Sequence, residues 1–315
     1  MARSGQGVEV GIFVPQVGFG RDDILLRATM AEDLGIHSVW FYDHLYSPGL
    51  PDLDSLEAWT LASYVLARTE RLRVGHLVLC SNFRHPALLA KMATTLDVLS
   101  QGRVEIGLGS GSVALEHHQA GLPWGTAAQR SERLGETLEI VSRMLSQEVT
   151  SFEGHHYQVS ELPNRPGPIQ RPRPPIHVGG IGPRRTLPLV ARYADVWSIP
   201  TYGLADWEAS QVLLDAECAR IGRDPDTIRR SHQAVLVLVP DASGLDEARE
   251  RAARRYGGPG WGVAEGGYVG TPAMVIDRMA QAVEKGISMF IFLAHDRGEP
   301  ATLELLAHEV MPAFA

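Results

Sequence analysis

Asp43-His44 closes an apolar run, His37–Asp43 (HSVWFYD). A histidine beside a carboxylate, where a strand gives way to a loop, is a candidate general acid or base, or a hydrogen-bond donor to a substrate oxygen. A lone histidine is as readily structural, so its place in the fold decides between the two. Gly107, Gly109 and Gly111 alternate at the end of another run, Arg103–Gly109 (RVEIGLG), and leave one face without side chains. A flat ring or a phosphate fits such a face, and so does close packing. Gly179-Gly180-Ile181-Gly182-Pro183-Arg184-Arg185 follows a third run and precedes a helix that begins near Thr186. Free backbone amides and a helix start favour an anion there, and two arginines add to this. A tight turn with solvated arginines is the competing reading, since the spacing is neither a P-loop nor a Rossmann fingerprint. His117-His118 and His155-His156 suggest a metal by residue type. Adjacent residues on a helix or strand point apart, however, and no carboxylate stands at H-E-x-x-H spacing, so no metal is expected. Cys80 stands near these residues without a clear base partner, and Cys218 falls in a predicted helix.

These residues need a frame. Apolar runs of strand length occur at Glu9–Pro15, His37–Asp43, Leu72–Cys80, Arg103–Gly109, Pro175–Gly180, Ala194–Ile199, Arg230–Val239 and Ser288–Ala294. Helical patterns separate them: Asp22–Leu34 with Leu26, Met30 and Leu34 on one face, then Ser55–Arg68, Pro86–Ser100, Ala127–Ser146, Leu187–Tyr193, Leu204–Ile221, Gly244–Tyr256 and Pro272–Lys285, with a last helix at Thr302–Val310. Eight strands alternating with helices imply a parallel sheet, and the length suits a (β/α)8 TIM barrel as one domain over residues 1–315. A doubly wound open sheet is the alternative. Two additions are expected, after strands 4 and 7. The first holds a hairpin, Val149–Val159, turning at Glu153-Gly154, and an extended connection, Pro163–Pro175, with six prolines in 13 residues. A barrel carries its chemistry at the C-terminal ends of its strands, where Asp43-His44 and both glycine groups fall.

The composition narrows the function classes. With 44% hydrophobic and 21% charged residues the chain is an ordinary globular one. A net charge of −8 argues against a nucleic-acid binder. No stretch approaches 18 uncharged apolar residues, and Met1–Glu9 lacks an apolar core of signal-peptide length. Two cysteines cannot form a disulfide framework, and a cytoplasmic location is expected.

The segment Val74–Gly111 (VGHLVLCSNFRHPALLAKMATTLDVLSQGRVEIGLGSG) resembles the luciferase-like monooxygenase superfamily, with Arg84-His85-Pro86, Ala90-Lys91, Leu96-Asp97, Ser100-x-Gly102-Arg103 and the alternating glycines in family order. Further matches run through Trp40–His44, Glu116-His117, Gly121-Leu122-Pro123, Arg130, Phe152–Tyr157, Pro174–Ile176, Gly179-Gly180-x-Gly182, Ala191–Asp195 and Gly270-Thr271-Pro272, so the resemblance covers essentially the whole chain. It implies a (β/α)8 barrel that binds FMN or the deazaflavin coenzyme F420, and the chain is most similar to the deazaflavin-dependent branch. By that resemblance Asp43 and His44 flank the cofactor ring, with His44 the catalytic acid or base. Leu77-Val78 is the bulge on which the ring rests, joined by a non-proline cis peptide. Gly109, Gly111, Gly179, Gly180 and Gly182 line the ring edge and phosphate, and Glu116 lies beside the cofactor. Sugar-phosphate dehydrogenases of the family carry a glutamate directly after the strand-4 glycines, where this chain has Ser112, so glucose 6-phosphate is not the expected substrate. The expected activity is hydride transfer between coenzyme F420 and a small organic substrate. An FMN monooxygenase fed with reduced flavin, and a barrel that only binds a flavin, are the alternatives. A homodimer and a separate cofactor-reducing enzyme are the expected partners.

Overall fold

The computed structural model describes residues 7–256 and 266–315. Eight parallel strands form the barrel: β1 (Glu9–Phe13), β2 (Ser38–Phe41), β3 (Arg73–His76), β4 (Val104–Gly109), β5 (Ile176–Gly179), β6 (Val196–Ile199), β7 (Arg229–Leu238) and β8 (Met289–Ala294). Each pairs with the next, and β8 pairs with β1 from Glu9↔Met289 to Ile12↔Phe292, which closes the ring and excludes the open sheet. Ten helices accompany the strands among the described residues: α1 (Arg21–Asp33), α2 (Ala58–Arg68), α3 (Pro86–Leu99), α4 (Ala114–Gln119), α5 (Ala127–Ser146), α6 (Thr186–Tyr193), α7 (Trp207–Ile221), α8 (Leu245–Tyr256), α9 (Pro272–Glu284) and α10 (Pro300–Leu305).

Local chemistry sets the helix starts. Glu57 caps α2 by accepting from the amides of Trp59 and Thr60. His85 caps α3, and Pro86 occupies its first turn, where a missing N–H costs nothing. Thr126 and Gln129 form a capping box at α5. On α1 the buried face differs from the expected one. Ile24, Arg27, Ala28 and Ala31 are buried, whereas Leu26 is exposed. The alanines let the helix approach the strands closely, and Arg27 is held by the Arg297 carbonyl and Glu299.

Two packing layers lie inside the barrel. Phe13, Trp40, Leu77, Val235, Met289 and Ile291 fill the middle. The Trp40 ring occupies the space a side chain at Gly75 would need, and its Nε1–H donates to Ser38 Oγ at 2.8 Å. Below this, at the N-terminal end, charges pair within the wall. Glu9 meets Arg229, while Glu105 meets Arg73 at 2.5 Å and His177 at 2.9 Å.

Both expected additions are present. After β4 come α4, α5 and an antiparallel hairpin, Val149–Glu153 with Gln158–Pro163, which extends past the expected end at Val159. Between β7 and β8 lie α8 and a short strand, Tyr268–Gly270, parallel to β7. Strand 3 is interrupted rather than continuous. The Leu77–Val78 peptide is cis, and pairing resumes at Leu79–Cys80 against β4.

Candidate active site

The interruption of strand 3 organises the mouth of the barrel. A side chain at Gly107 would collide with the His76 carbonyl, and one at Gly109 with the Val78 side chain. A Cβ at Gly179 would lie 3.3 Å from Val78 Cγ1. These glycines on β4 and β5 therefore make room for Val78, whose partly buried side chain packs against the inner core of the barrel. Close packing, rather than an open face, accounts for Gly107 and Gly109. Gly111 has φ +80°, and a Cβ there would sit 2.9 Å from Cys80 Sγ.

Asp43 is buried and fully engaged. Its carboxylate accepts from the Cys80 amide at 2.8 Å and from both terminal nitrogens of Arg84, at 2.7 and 3.1 Å. Arg84 also reaches Glu57, the cap of α2, at 2.5 Å. Three elements thus meet on one guanidinium, whose planar fork suits such bidentate bonding. The sequence placed Asp43 at the site but assigned no role to Arg84; its signal was the Arg-His-Pro motif.

The next residue, His44, is partly exposed. Its Nδ1 lies 2.9 Å from Glu116 Oε2, and the other carboxylate oxygen accepts the Leu45 amide. Glu116 itself is 1% exposed. Burial alone would push its carboxyl up. The His44 and Leu45 hydrogen bonds, with the nearby charges of His44 and His117, outweigh this and hold it below its ordinary value. An ionised carboxylate accepts, so His44 Nδ1 carries the proton. Its Nε2 has no protein partner among the described residues and is the nitrogen left to exchange a proton. Ser112 is exposed at the mouth.

Cys80, which lacked an evident partner in the sequence, has one in the fold. Its Sγ lies 3.5 Å from His117 Nε2, while His117 Nδ1–H donates to the Val113 carbonyl at 2.8 Å. Burial pushes the thiol up to about 12, which keeps it protonated and rules out a thiolate nucleophile at neutral pH. Phe83 and Trp124 flank His117, with ring centroids at 4.9 and 4.7 Å.

Ser81 and Asn82 follow Cys80 at the mouth. Ser81 Oγ and both amide atoms of Asn82 are buried without a protein partner. Buried polar atoms are nearly always satisfied, so these two side chains suit a polar ligand. Across the mouth, Gly180 has φ +120°, and a Cβ there would crowd Thr186 at 3.1 Å; one at Gly182 would meet Thr186 Oγ1 at 2.9 Å. The α6 helix starts at Thr186, whose amide bonds the Gly182 carbonyl, with Arg184 and Arg185 exposed beside it. The first amides of α6, Thr186 and Leu187, both donate to the Gly182 carbonyl and Pro188 has none, so the bare Gly180–Gly182 backbone and the two guanidiniums are what suit a phosphate there. The two sides together fit a ring cofactor with an anionic tail.

His155 and His156 do not diverge as a strand would require. They occupy the hairpin turn and converge on Glu132.

Barrels of this build carry catalysis at this end of their strands. The chain belongs to the luciferase-like monooxygenase family, whose model matches residues 6–260. It is 31% identical over 245 residues to an F420-dependent hydroxymycolic acid dehydrogenase of Mycobacterium tuberculosis, covering 78% of this chain and 65% of the relative. It is 33% identical over 230 residues to an F420-dependent glucose-6-phosphate dehydrogenase of Microbacterium testaceum, covering 71% and 66%. The match thus spans slightly less than two-thirds of each relative's length. Among solved structures, an F420-dependent secondary alcohol dehydrogenase in complex with an F420-acetone adduct superposes with TM-score 0.81 at 20% identity, over 98% of this chain and 100% of that one. A long-chain alkane monooxygenase does so with TM-score 0.80 at 15% identity, over 98% and 91%. These two likenesses show the shared fold. No helix among the described residues is long and apolar enough to cross a membrane.

Proposed function

We propose that this chain is an oxidoreductase that moves a hydride between coenzyme F420 and a small organic substrate, with His44 exchanging the accompanying proton. The observation that carries this reading is the His44–Glu116 pair, 2.9 Å apart, at the C-terminal rim of the barrel. The F420-dependent dehydrogenases among its relatives favour the deazaflavin over FMN.

Ser81 and Asn82 would meet the coenzyme's polar groups, Val78 would lie under its ring, and the Gly180–Gly182 loop with Arg184 and Arg185 would hold its phosphate. When bound, the coenzyme supplies a ring carbon that carries hydride. A substrate oxygen must gain or lose a proton as its carbon gains or loses hydride. His44 Nε2 holds that proton. Glu116 holds Nδ1–H, fixes the tautomer and offsets the imidazolium charge. Glu116 is fully engaged by His44 and Leu45, and Ser112 carries no carboxyl group. One acid-base side chain at the site suits a substrate that interconverts hydroxyl and carbonyl.

Titration of the apo-protein with coenzyme F420 and with FMN tests the reading. Tighter F420 binding is expected, and FMN binding with negligible F420 binding would overturn it. His44→Ala should then lower kcat by roughly 10²–10⁴-fold with little change in coenzyme affinity. Unchanged turnover would make His44 a bystander.

A further inference from the structure

The hairpin tip carries a second group of ionisable side chains, next to Tyr157, whose ring packs edge-on against His85 at 5.3 Å. The rings of His155 and His156 turn to one side of the turn, with centroids 4.7 Å apart. Glu132 on α5 faces both: its Oε2 is 3.4 Å from His156 Nε2 and 4.0 Å from His155 Nδ1. All three donor atoms lie within 4.8 Å of one another. An ion bonded tetrahedrally at about 2.0–2.2 Å spaces its ligands by roughly 3.3–3.6 Å. One pair already stands at that spacing, and side-chain rotation brings in the third donor. The backbone needs no rearrangement. The Glu136 carboxylate accepts the amides of His155 at 2.8 Å, His156 at 3.0 Å and Tyr157 at 2.9 Å, which fixes the turn on α5. Arg133 opposes occupancy. Its Nε lies 3.4 Å from His156 Nδ1, and an ion on Nε2 requires the proton on Nδ1, so the guanidinium must move aside.

We propose that Glu132, His155 and His156 form a binding site for a divalent ion of the zinc class, with water completing the coordination. Two imidazoles and one carboxylate suit zinc, nickel or copper rather than calcium or magnesium. The ligands come from α5 and from the hairpin, so the ion would staple one to the other.

The test is calorimetric titration of the full chain, free of any affinity tag, with zinc chloride. One equivalent per chain should bind. His155→Ala, His156→Ala and Glu132→Gln should each weaken binding at least tenfold, whereas His118→Ala, an exposed histidine elsewhere, should leave it unchanged. Arg133→Gln should tighten it. Zinc should raise the melting temperature of the parent and of Arg133→Gln but not that of the three ligand variants. Those substitutions lie at a largely exposed tip, and metal-free melting temperatures within about 2 °C of the parent confirm folding. Absence of stoichiometric binding, or binding that survives both histidine substitutions, would overturn the proposal.

Discussion

Asp43 and Glu116 are both buried carboxylates at the mouth, yet their partners give them different duties. Asp43 is consumed by Arg84 and the Cys80 amide and works as a strut. Arg84→Ala would leave a buried carboxylate without its counter-ion. A loss of about 3 kcal/mol is expected in the unfolding free energy from denaturant titration, and Arg84→Lys should recover only part of it, because an ammonium cannot bridge Asp43 and Glu57 as a fork does. Glu116, by contrast, holds His44, the side chain proposed to exchange the proton. Glu116→Gln keeps the shape and removes the charge. Under the proposed function, kcat should fall about 10–100-fold while KM and coenzyme affinity stay within threefold. Equal losses in kcat and KM, with a lowered melting temperature, would reduce Glu116 to a structural prop. Asp43 and His44 were legible in sequence as a rim pair. The bond to Glu116 was not, because it joins residues 72 positions apart and no periodicity encodes which loop leans on which.

At the scale of elements, β4 and β5 are built around Val78. Gly107→Ala drives a methyl into the His76 backbone carbonyl, which cannot rotate away, whereas Gly109→Ala meets only a side chain. The first should destabilise by more than about 3 kcal/mol and the second by roughly 1–3 kcal/mol. Val78→Ala should relieve Gly109→Ala and leave Gly107→Ala unrelieved. Urea midpoints of the three single variants and the two double mutants decide this, and strict additivity in both pairs would refute the packing account. The alternating glycines were visible in the sequence, but a bare face and a filled one look alike there. The strand and helix order was legible because β1 to β8 keep short apolar runs and the long helices keep their periodicity. The six-residue α4 and the three-residue Tyr268–Gly270 strand carry too few residues for any period to emerge.

For the whole molecule, buried ionisable groups set the response to pH. His76 stacks on Trp59 at 5.2 Å, and burial holds it down to about 4 from an ordinary 6.5. Below pH 6.5 the unfolded chain takes a proton that the folded barrel refuses, so stability falls from about pH 6.5 to about pH 4. Glu105 is opposed by burial but pulled by His177 and Arg73, and it ends near 2 from an ordinary 4.5. Its contribution persists above about pH 4.5 and is lost as the pH falls from there towards 2. Denaturant midpoints at pH 7.5, 6 and 5 should decline, and His76→Phe should lessen that decline, the remainder coming from His232, which burial holds down to about 3, while leaving the acid-limb loss below pH 4.5. Midpoints that rise on acidification would contradict both assignments.

The charge pairs at the lower end, Glu9 with Arg229 and Glu105 with Arg73 and His177, tie neighbouring parts of the wall together there. Under the proposed function, coenzyme and substrate would both enter at the C-terminal mouth, where barrels of this build bind their ligands. Whichever then sits deeper would arrive first and depart last. Initial-rate plots in both reactants should intersect, and a dead-end analogue of the second arrival should inhibit uncompetitively against the first.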